Sequence, residues 1–167
     1  MPFVTAFYRA LGTGMVISVD SPIDDKVRSA MESLIEDYEH VLSRFRNDSL
    51  IAAIGKAEHG GSFDFPDWCA PLFDLYDALF SATSGEIDPC VGEDLIRLGY
   101  DASLSFTVTQ DAPEHLGALR GRAVWGRDVT RHGTTLVTHE PVQLDFGAAA
   151  KAISSICSGA CCSRHNS

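Results

Sequence analysis

The sequence contains no apolar run approaching the about 20 residues that a membrane-spanning helix needs. Its start lacks the basic residues, apolar centre and small-residue cleavage site of a secretory signal. As written, the chain is therefore expected to be cytoplasmic, with no membrane among its partners. It is also poor in positive charge: 13 Lys and Arg stand against 23 Asp and Glu, a net charge of −10, and no Lys/Arg run exceeds two. Nothing in that pattern offsets repulsion from a phosphate backbone, which excludes nucleic acid as the main partner. An anionic small ligand would need a local device such as exposed backbone N–H groups or a metal.

Familiar catalytic spacings are missing as well. There is no Gly-x-Ser-x-Gly elbow and no Gly-x4-Gly-Lys loop, and the six histidines (40, 59, 115, 132, 139, 165) show neither His-x3-His nor His-Glu-x-x-His spacing. Serine hydrolase and P-loop readings are excluded on those grounds. The five cysteines are an odd number without a C-x2-C pair, so a disulfide framework is not expected. Cys69 and Cys90 stand alone, and with no basic residue near it in sequence Cys90 reads as a small buried hydrophobe. The tail Cys157-x3-Cys161-Cys162-x2-His165 has ligand types that suit zinc but not the spacing of zinc modules.

What remains, 45% hydrophobic and 22% charged residues, is the composition of one globular domain or part of one. Met15, Ile17 and Val19 alternate with polar or opposite-face residues after Leu11-Gly12-Thr13-Gly14, which predicts a strand or hairpin. Ser21 as N-cap, Pro22 at the first helical position and Asp24 three residues on predict a helix start. The stripe Val27, Ala30, Met31, Leu34, Ile35, Tyr38, Val41, Leu42 and Phe45 extends it to about Phe45. Asn47-Asp48-Ser49 breaks this helix and caps a short one through Ile54. Asp67 caps another, running to Ala82 with Trp68, Leu72, Leu75, Leu79 and Ala82 on its buried face. Short helices are expected at Glu93 to Leu98 and near Pro113 to Leu116, and a hairpin from Ala123–Asp128 and Thr134–Thr138, turning at Arg131-His132-Gly133. An apolar strand Val142 to Phe146 then runs into Gly147-Ala148-Ala149-Ala150-Lys151, where small residues at a helix start would expose N–H donors to an anion. The fold class expected is α+β, with helices packed on a mixed or antiparallel sheet. Beyond Lys151 the chain becomes Ser/Cys-rich and poor in helix formers.

The order of these signals carries a resemblance. Leu11-Gly12-Thr13-Gly14-Met15, then Glu39-His40-Val41-Leu42-Ser43-Arg44-Phe45 with Asp48-Ser49-Leu50, then Gly85-Glu86-Ile87-Asp88-Pro89-Cys90-Val91-Gly92 with Leu98-Gly99-Tyr100, then Leu144-Asp145-Phe146-Gly147-Ala148-Ala149-Ala150-Lys151, together resemble the ApbE family, whose members are FAD:protein FMN transferases formerly labelled thiamine biosynthesis lipoproteins. The resemblance spans residues 5 to 152, about the N-terminal half of a full member. It implies a truncated ApbE-like (T-fold-like) domain over residues 1–152, with 153–167 as an aberrant tail resembling translation in a wrong reading frame.

The resemblance further implies FAD as substrate, Mg²⁺ as cofactor, and an acceptor flavoprotein whose Thr or Ser hydroxyl receives FMN; some members instead hydrolyse FAD, and many are exported. By position it implies FAD contacts at Leu11, Phe45, Glu86, Ile87, Asp88, Asp145 and Lys151, and a Mg²⁺ ligand at Ala148 through its backbone carbonyl; it assigns no catalytic group. Gly55 stands where the family usually has Asn, and Ala152 where it has a second Gly. The family's later His-containing segment, and the Asp and Thr completing its Mg²⁺ shell, have no counterpart, so weak or absent activity is expected of this chain. The competing expectation is a non-enzymatic FAD-binding or interaction module.

Overall fold

The computed structural model describes residues 3–10 and 13–149. Leu11, Lys151, Ala152 and the Cys/His tail lie outside the described residues, so the expectations placed on them are not addressed by it.

Strands β1 (Phe3–Ala10) and β2 (Thr13–Val19) form an antiparallel hairpin in which Phe7 pairs with Met15 and Thr5 with Ile17. Phe7, Met15 and Ile17 turn one face toward helix α1 (Asp25–Leu42), where they meet Met31, Ile35 and Val27 in a small apolar cluster. The helix begins three residues later than its Ser-Pro signal suggests. Asp24 is the N-cap, its Oδ1 accepting from the Val27 N–H at 2.7 Å, which satisfies one of the end's free donors. At the other end Ser43 is already extended, so the helix stops at Leu42 and Arg44 and Phe45 leave its axis. Helix α2 (Leu50–Lys56) follows, capped by Ser49 through a 3.1 Å bond from the Ala52 N–H.

The larger core is built around helix α3 (Ala70–Ala82), entered through a 3-10 turn at Asp67–Cys69. Its buried residues are Leu72, Phe73 and Tyr76, while Leu75 is exposed, so the packed face is turned relative to the Trp68-Leu72-Leu75-Leu79 stripe expected from sequence. The reason is aromatic: Phe73 contacts Phe65, Trp125 and Phe146 together, and one such cluster fixes the helix's rotation more strongly than separate leucines.

Strands β3 (Gly61–Asp64), β4 (Val129–His132) and β5 (Thr135–Thr138) make a second antiparallel sheet in the order β3-β5-β4. Here the structure corrects two expectations. Residues 124–128 form a turn instead of a strand, because the Asp128 carboxylate folds back to accept the Val124 N–H at 2.7 Å; the hairpin's first strand is β4. Short β3, between the elements expected to end at Ile54 and begin at Asp67, supplies the third strand.

Residues 142–146 are the other departure. Val142, Leu144 and Phe146 are buried and alternate with Gln143 and Asp145, as a strand's would, yet they join no ladder among the described residues. Their backbone bonds instead go to the loop leading into helix α4 (Gly92–Arg97): the Gly92 N–H donates to the Gln143 carbonyl at 3.1 Å, and the Asp145 N–H to the Pro89 carbonyl at 2.7 Å. An extended segment and a 3-10 turn are thus sewn together at a place where a side chain would be in the way. A Cβ on Gly92 would sit 2.5 Å from the Gln143 carbonyl oxygen. Gly92→Ala should therefore destabilise the fold by about 1–3 kcal/mol through overpacking, read as a lowered urea midpoint; an unchanged midpoint would show that this seam yields freely. Helix α5 (Ala112–His115) and a 3-10 turn at Ala118–Arg120 lie between α4 and β4.

Candidate functional site

The seam between residues 89–92 and 143–145 has a consequence for function: it brings Asp88 and Asp145 to the same cleft. That cleft encloses about 520 Å³ and is lined by Tyr38, Leu42, Arg44 and Phe45 from the end of α1, Tyr76 from α3, Glu86 to Asp88, Tyr100, and Asp145, Gly147 and Ala148. Six of the sequence-predicted site residues, Phe45, Glu86, Ile87, Asp88, Asp145 and Ala148, line it together. The remaining two, Leu11 and Lys151, are outside the described residues.

Each wall is held by identifiable chemistry. Thr83, at the end of α3, donates from Oγ1 to the Leu79 carbonyl at 2.7 Å and accepts from the Ile87 N–H at 3.0 Å, so the Glu86-Ile87 segment is tied to the helix it follows. Asp88 is buried at 4% exposure and caps the 3-10 turn Pro89–Val91. Its Oδ1 accepts from the Cys90 N–H at 2.9 Å and the Trp125 N–H at 3.3 Å, and its Oδ2 from Arg122 Nη1 at 2.9 Å. Arg122 is itself buried; its Nε lies 2.9 Å from Asp94 Oδ2, an ionic contact with no directed hydrogen bond. The Asp88 carboxylate is thus engaged by protein donors on both oxygens. Cys90 is buried beside it, and burial, reinforced by the Asp88 charge, pushes its thiol well above the usual range, as befits a packing residue and not a nucleophile.

The opposite wall centres on Arg44. Its Nε donates to Asp145 Oδ2 at 2.5 Å, while its guanidinium lies 4.3 Å from the Phe45 ring centroid and 4.6 Å from that of Tyr100. Phe45 and Tyr100 meet edge to face at 5.4 Å. Tyr100 reaches this position because Gly99 turns the chain at φ +85°, where any Cβ would collide with the backbone of Thr107. Asp145 Oδ1 accepts from the Gly147 N–H at 2.7 Å, capping the helical turn that carries Ala148. Tyr76 closes the floor, its hydroxyl pushed up to about 12 mainly by burial and so neutral at ordinary pH.

Arg44, Tyr100, Tyr76 and Tyr38 belong to the cleft without having been singled out for roles by sequence. Arg44 and Tyr100 lie inside the motifs already quoted, next to Phe45 and Gly99, whereas Tyr76 is recognisable only once the face of α3 is known.

The residues were also tested against a divalent cation. Magnesium takes about six oxygens in near-octahedral geometry, with at least one or two carboxylates. Among the described residues no cluster of three His, Cys, Asp or Glu is placed to hold a metal. The carboxylate next to Ala148 along the chain, Asp145, is already occupied by Arg44 and the Gly147 N–H. The described residues therefore do not by themselves fit Mg²⁺. Among them, no helix is long and apolar enough to cross a membrane.

Comparison with known proteins gives a consistent answer. The chain is similar in structure to the flavin transferase ApbE from Vibrio cholerae, with a TM-score of 0.76 and 19% identity, covering 95% of this chain and 53% of that one. It is similar also to the Pseudomonas stutzeri flavinyl transferase ApbE in its apo form (TM-score 0.68, 16% identity, 96% and 55% coverage) and to the ApbE protein of Thermotoga maritima (0.70, 18%, 96% and 52%). The chain spans about half the length of these structures, and at such identities they establish the α+β fold. No curated protein matches the sequence. The family model described as the ApbE family matches residues 11–156, most of the chain, and the chain belongs to that family.

Proposed function

We propose that this chain is the flavin-nucleotide-binding part of an FAD:protein FMN transferase. One observation carries the reading: a single cleft collects Phe45, Glu86, Ile87, Asp88, Asp145 and Ala148, residues from separated motifs that the family resemblance ties to FAD and to its metal. The cleft's chemistry suits the substrate. Aromatic side chains offer stacking surface for a planar ring system, the volume is that of a small-molecule site, and Arg44 introduces positive charge into an otherwise acidic rim. In the proposed reaction an acceptor Thr or Ser oxygen attacks the FMN-side phosphorus of FAD. The anhydride bond to AMP breaks, and AMP departs while the hydroxyl proton is released. Mg²⁺, which the resemblance also implies, would require oxygen ligands beyond those described.

That last point favours a second reading, a flavin-binding module without transfer chemistry, for which a missing carboxylate set is no defect. Titrating the chain with FAD by fluorescence, then incubating it with FAD, Mg²⁺ and an acceptor flavoprotein and weighing the acceptor, separates the two. The expected result is saturable FAD binding with acceptor flavinylation far slower than that of a full-length family member. Rapid Mg²⁺-dependent addition of FMN less water would show that this chain completes its own metal shell. Absence of FAD binding would sink both readings.

A further inference from the structure

Resting on the flavin reading above, we propose that Arg44 is a phosphate-recognising residue of the cleft, its Nη2 donating to a phosphate oxygen of the bound flavin nucleotide. The side chain is 9% exposed and lines the cleft, and its Nε, its guanidinium plane and its Nη2 are in different situations. Nε is bonded to Asp145, the guanidinium plane rests against the Phe45 and Tyr100 rings, and Nη2 is buried with no hydrogen-bond partner among the described residues. A buried charged donor left without an acceptor is costly and rare in folded proteins. Here the missing acceptor belongs to a molecule that enters the cleft.

The kind of acceptor follows from the surroundings. Among the described lining residues Arg44 is the one cation, and the carboxylates are Glu39, Glu86, Asp88 and Asp145. Because Asp145 already balances its charge, what Arg44 offers a ligand is a directed N–H on a rigid plane more than a diffuse positive field. That is the property that distinguishes arginine from lysine at phosphate sites. In a flavin nucleotide the acceptors that answer such an N–H most strongly are the ionised phosphate oxygens, the isoalloxazine carbonyls and ribityl hydroxyls being neutral and weaker acceptors.

The test compares riboflavin, FMN and FAD titrated by fluorescence against the 167-residue chain, Arg44→Met and Arg44→Lys, with circular dichroism confirming that each variant is folded. Both variants should weaken FAD at least about tenfold, the scale of one charge-assisted hydrogen bond, while changing riboflavin affinity less than twofold. A matching loss for FMN assigns the contact to the flavin-side phosphate, and an unchanged FMN affinity assigns it to the adenylate side; either supports the proposal. Equal losses for riboflavin and FAD would mean that Arg44 only braces the two rings and Asp145, and would overturn it, as would unchanged FAD affinity. Should Arg44→Met not fold, Arg44→Lys, which keeps a cation for Asp145, decides alone. Failure of the unsubstituted chain to bind any of the three flavins is a different result, and it removes the functional reading on which the proposal rests.

Discussion

Arg122→Met should lower the free energy of unfolding by about 3–5 kcal/mol, the cost of leaving a buried carboxylate without its cation. Asp88 has a side chain only 1% exposed, and the cation paired with it is Arg122. The Cys90 and Trp125 N–H donors would remain, and they soften the loss without removing a full negative charge from low dielectric. Against a typical domain stability of about 5–15 kcal/mol, this brings the chain close to unfolding. Urea denaturation measures the change, and adding Asp88→Asn to the variant should recover part of it, because the remaining side chain is then neutral. A loss below about 1 kcal/mol, the size found for exposed pairs, would mean that water reaches the pair and that the wall of the cleft is looser than its burial implies.

The same pair marks the boundary between what the sequence discloses and what it conceals. Asp88 before Pro89 is readable as a turn or cap aspartate, and it caps the Pro89–Val91 turn. Arg122 sits next to a stretch, residues 104 to 121, with no usable periodicity, and nothing local announces that it reaches Asp88, 34 residues away in sequence. The long helices were legible because their signals are local: the stripe of α1 contains Met31, Ile35 and Tyr38, all buried. Their ends were less so, since Ser21 and Asp24 are both able caps and the choice depends on which side chain meets a free N–H. The apolar pattern of residues 142–146 reads as a strand, and Val142, Leu144 and Phe146 are indeed buried, but such a pattern reports which side chains face inward and not what the backbone bonds to. Here the backbone bonds to a loop. In the site, the family-like motifs located one wall each, whereas the Arg44 sandwich depends on Tyr100 arriving from 56 positions away, which pattern alone does not reveal.

Phe146→Ala should act on both the core and the cleft. Phe146 is fully buried, with its ring 5.5 Å from Phe73, 5.3 Å from Tyr76 and 6.1 Å from Trp125. Truncating such a ring costs about 3–5 kcal/mol, through lost transfer energy and the cavity left behind. Its neighbours in sequence, however, are Asp145, Gly147 and Ala148, all of which line the cleft. The segment is not a ladder strand, so besides the Gly92–Gln143 and Pro89–Asp145 bonds it is anchored to the core by the buried side chains of Val142, Leu144 and Phe146, of which Phe146 is the one directly between the cleft-lining Asp145 and Gly147. Once the ring is gone, Asp145 keeps its Arg44 contact and its backbone bond to Pro89 but loses the packed residue beside it, and the rigid plane inferred to meet a phosphate is held less firmly. FAD affinity, measured at a temperature where circular dichroism shows the variant still folded, should therefore fall at least tenfold, beyond any loss attributable to unfolded chain. By the same logic Leu136→Ala, in the core but on strand β5 away from the cleft lining, should cost a comparable about 2–5 kcal/mol and leave the FAD affinity of the folded fraction unchanged. Equal affinity losses in the two variants would mean that the cleft responds to overall stability alone, and that Phe146 has no particular part in holding its wall.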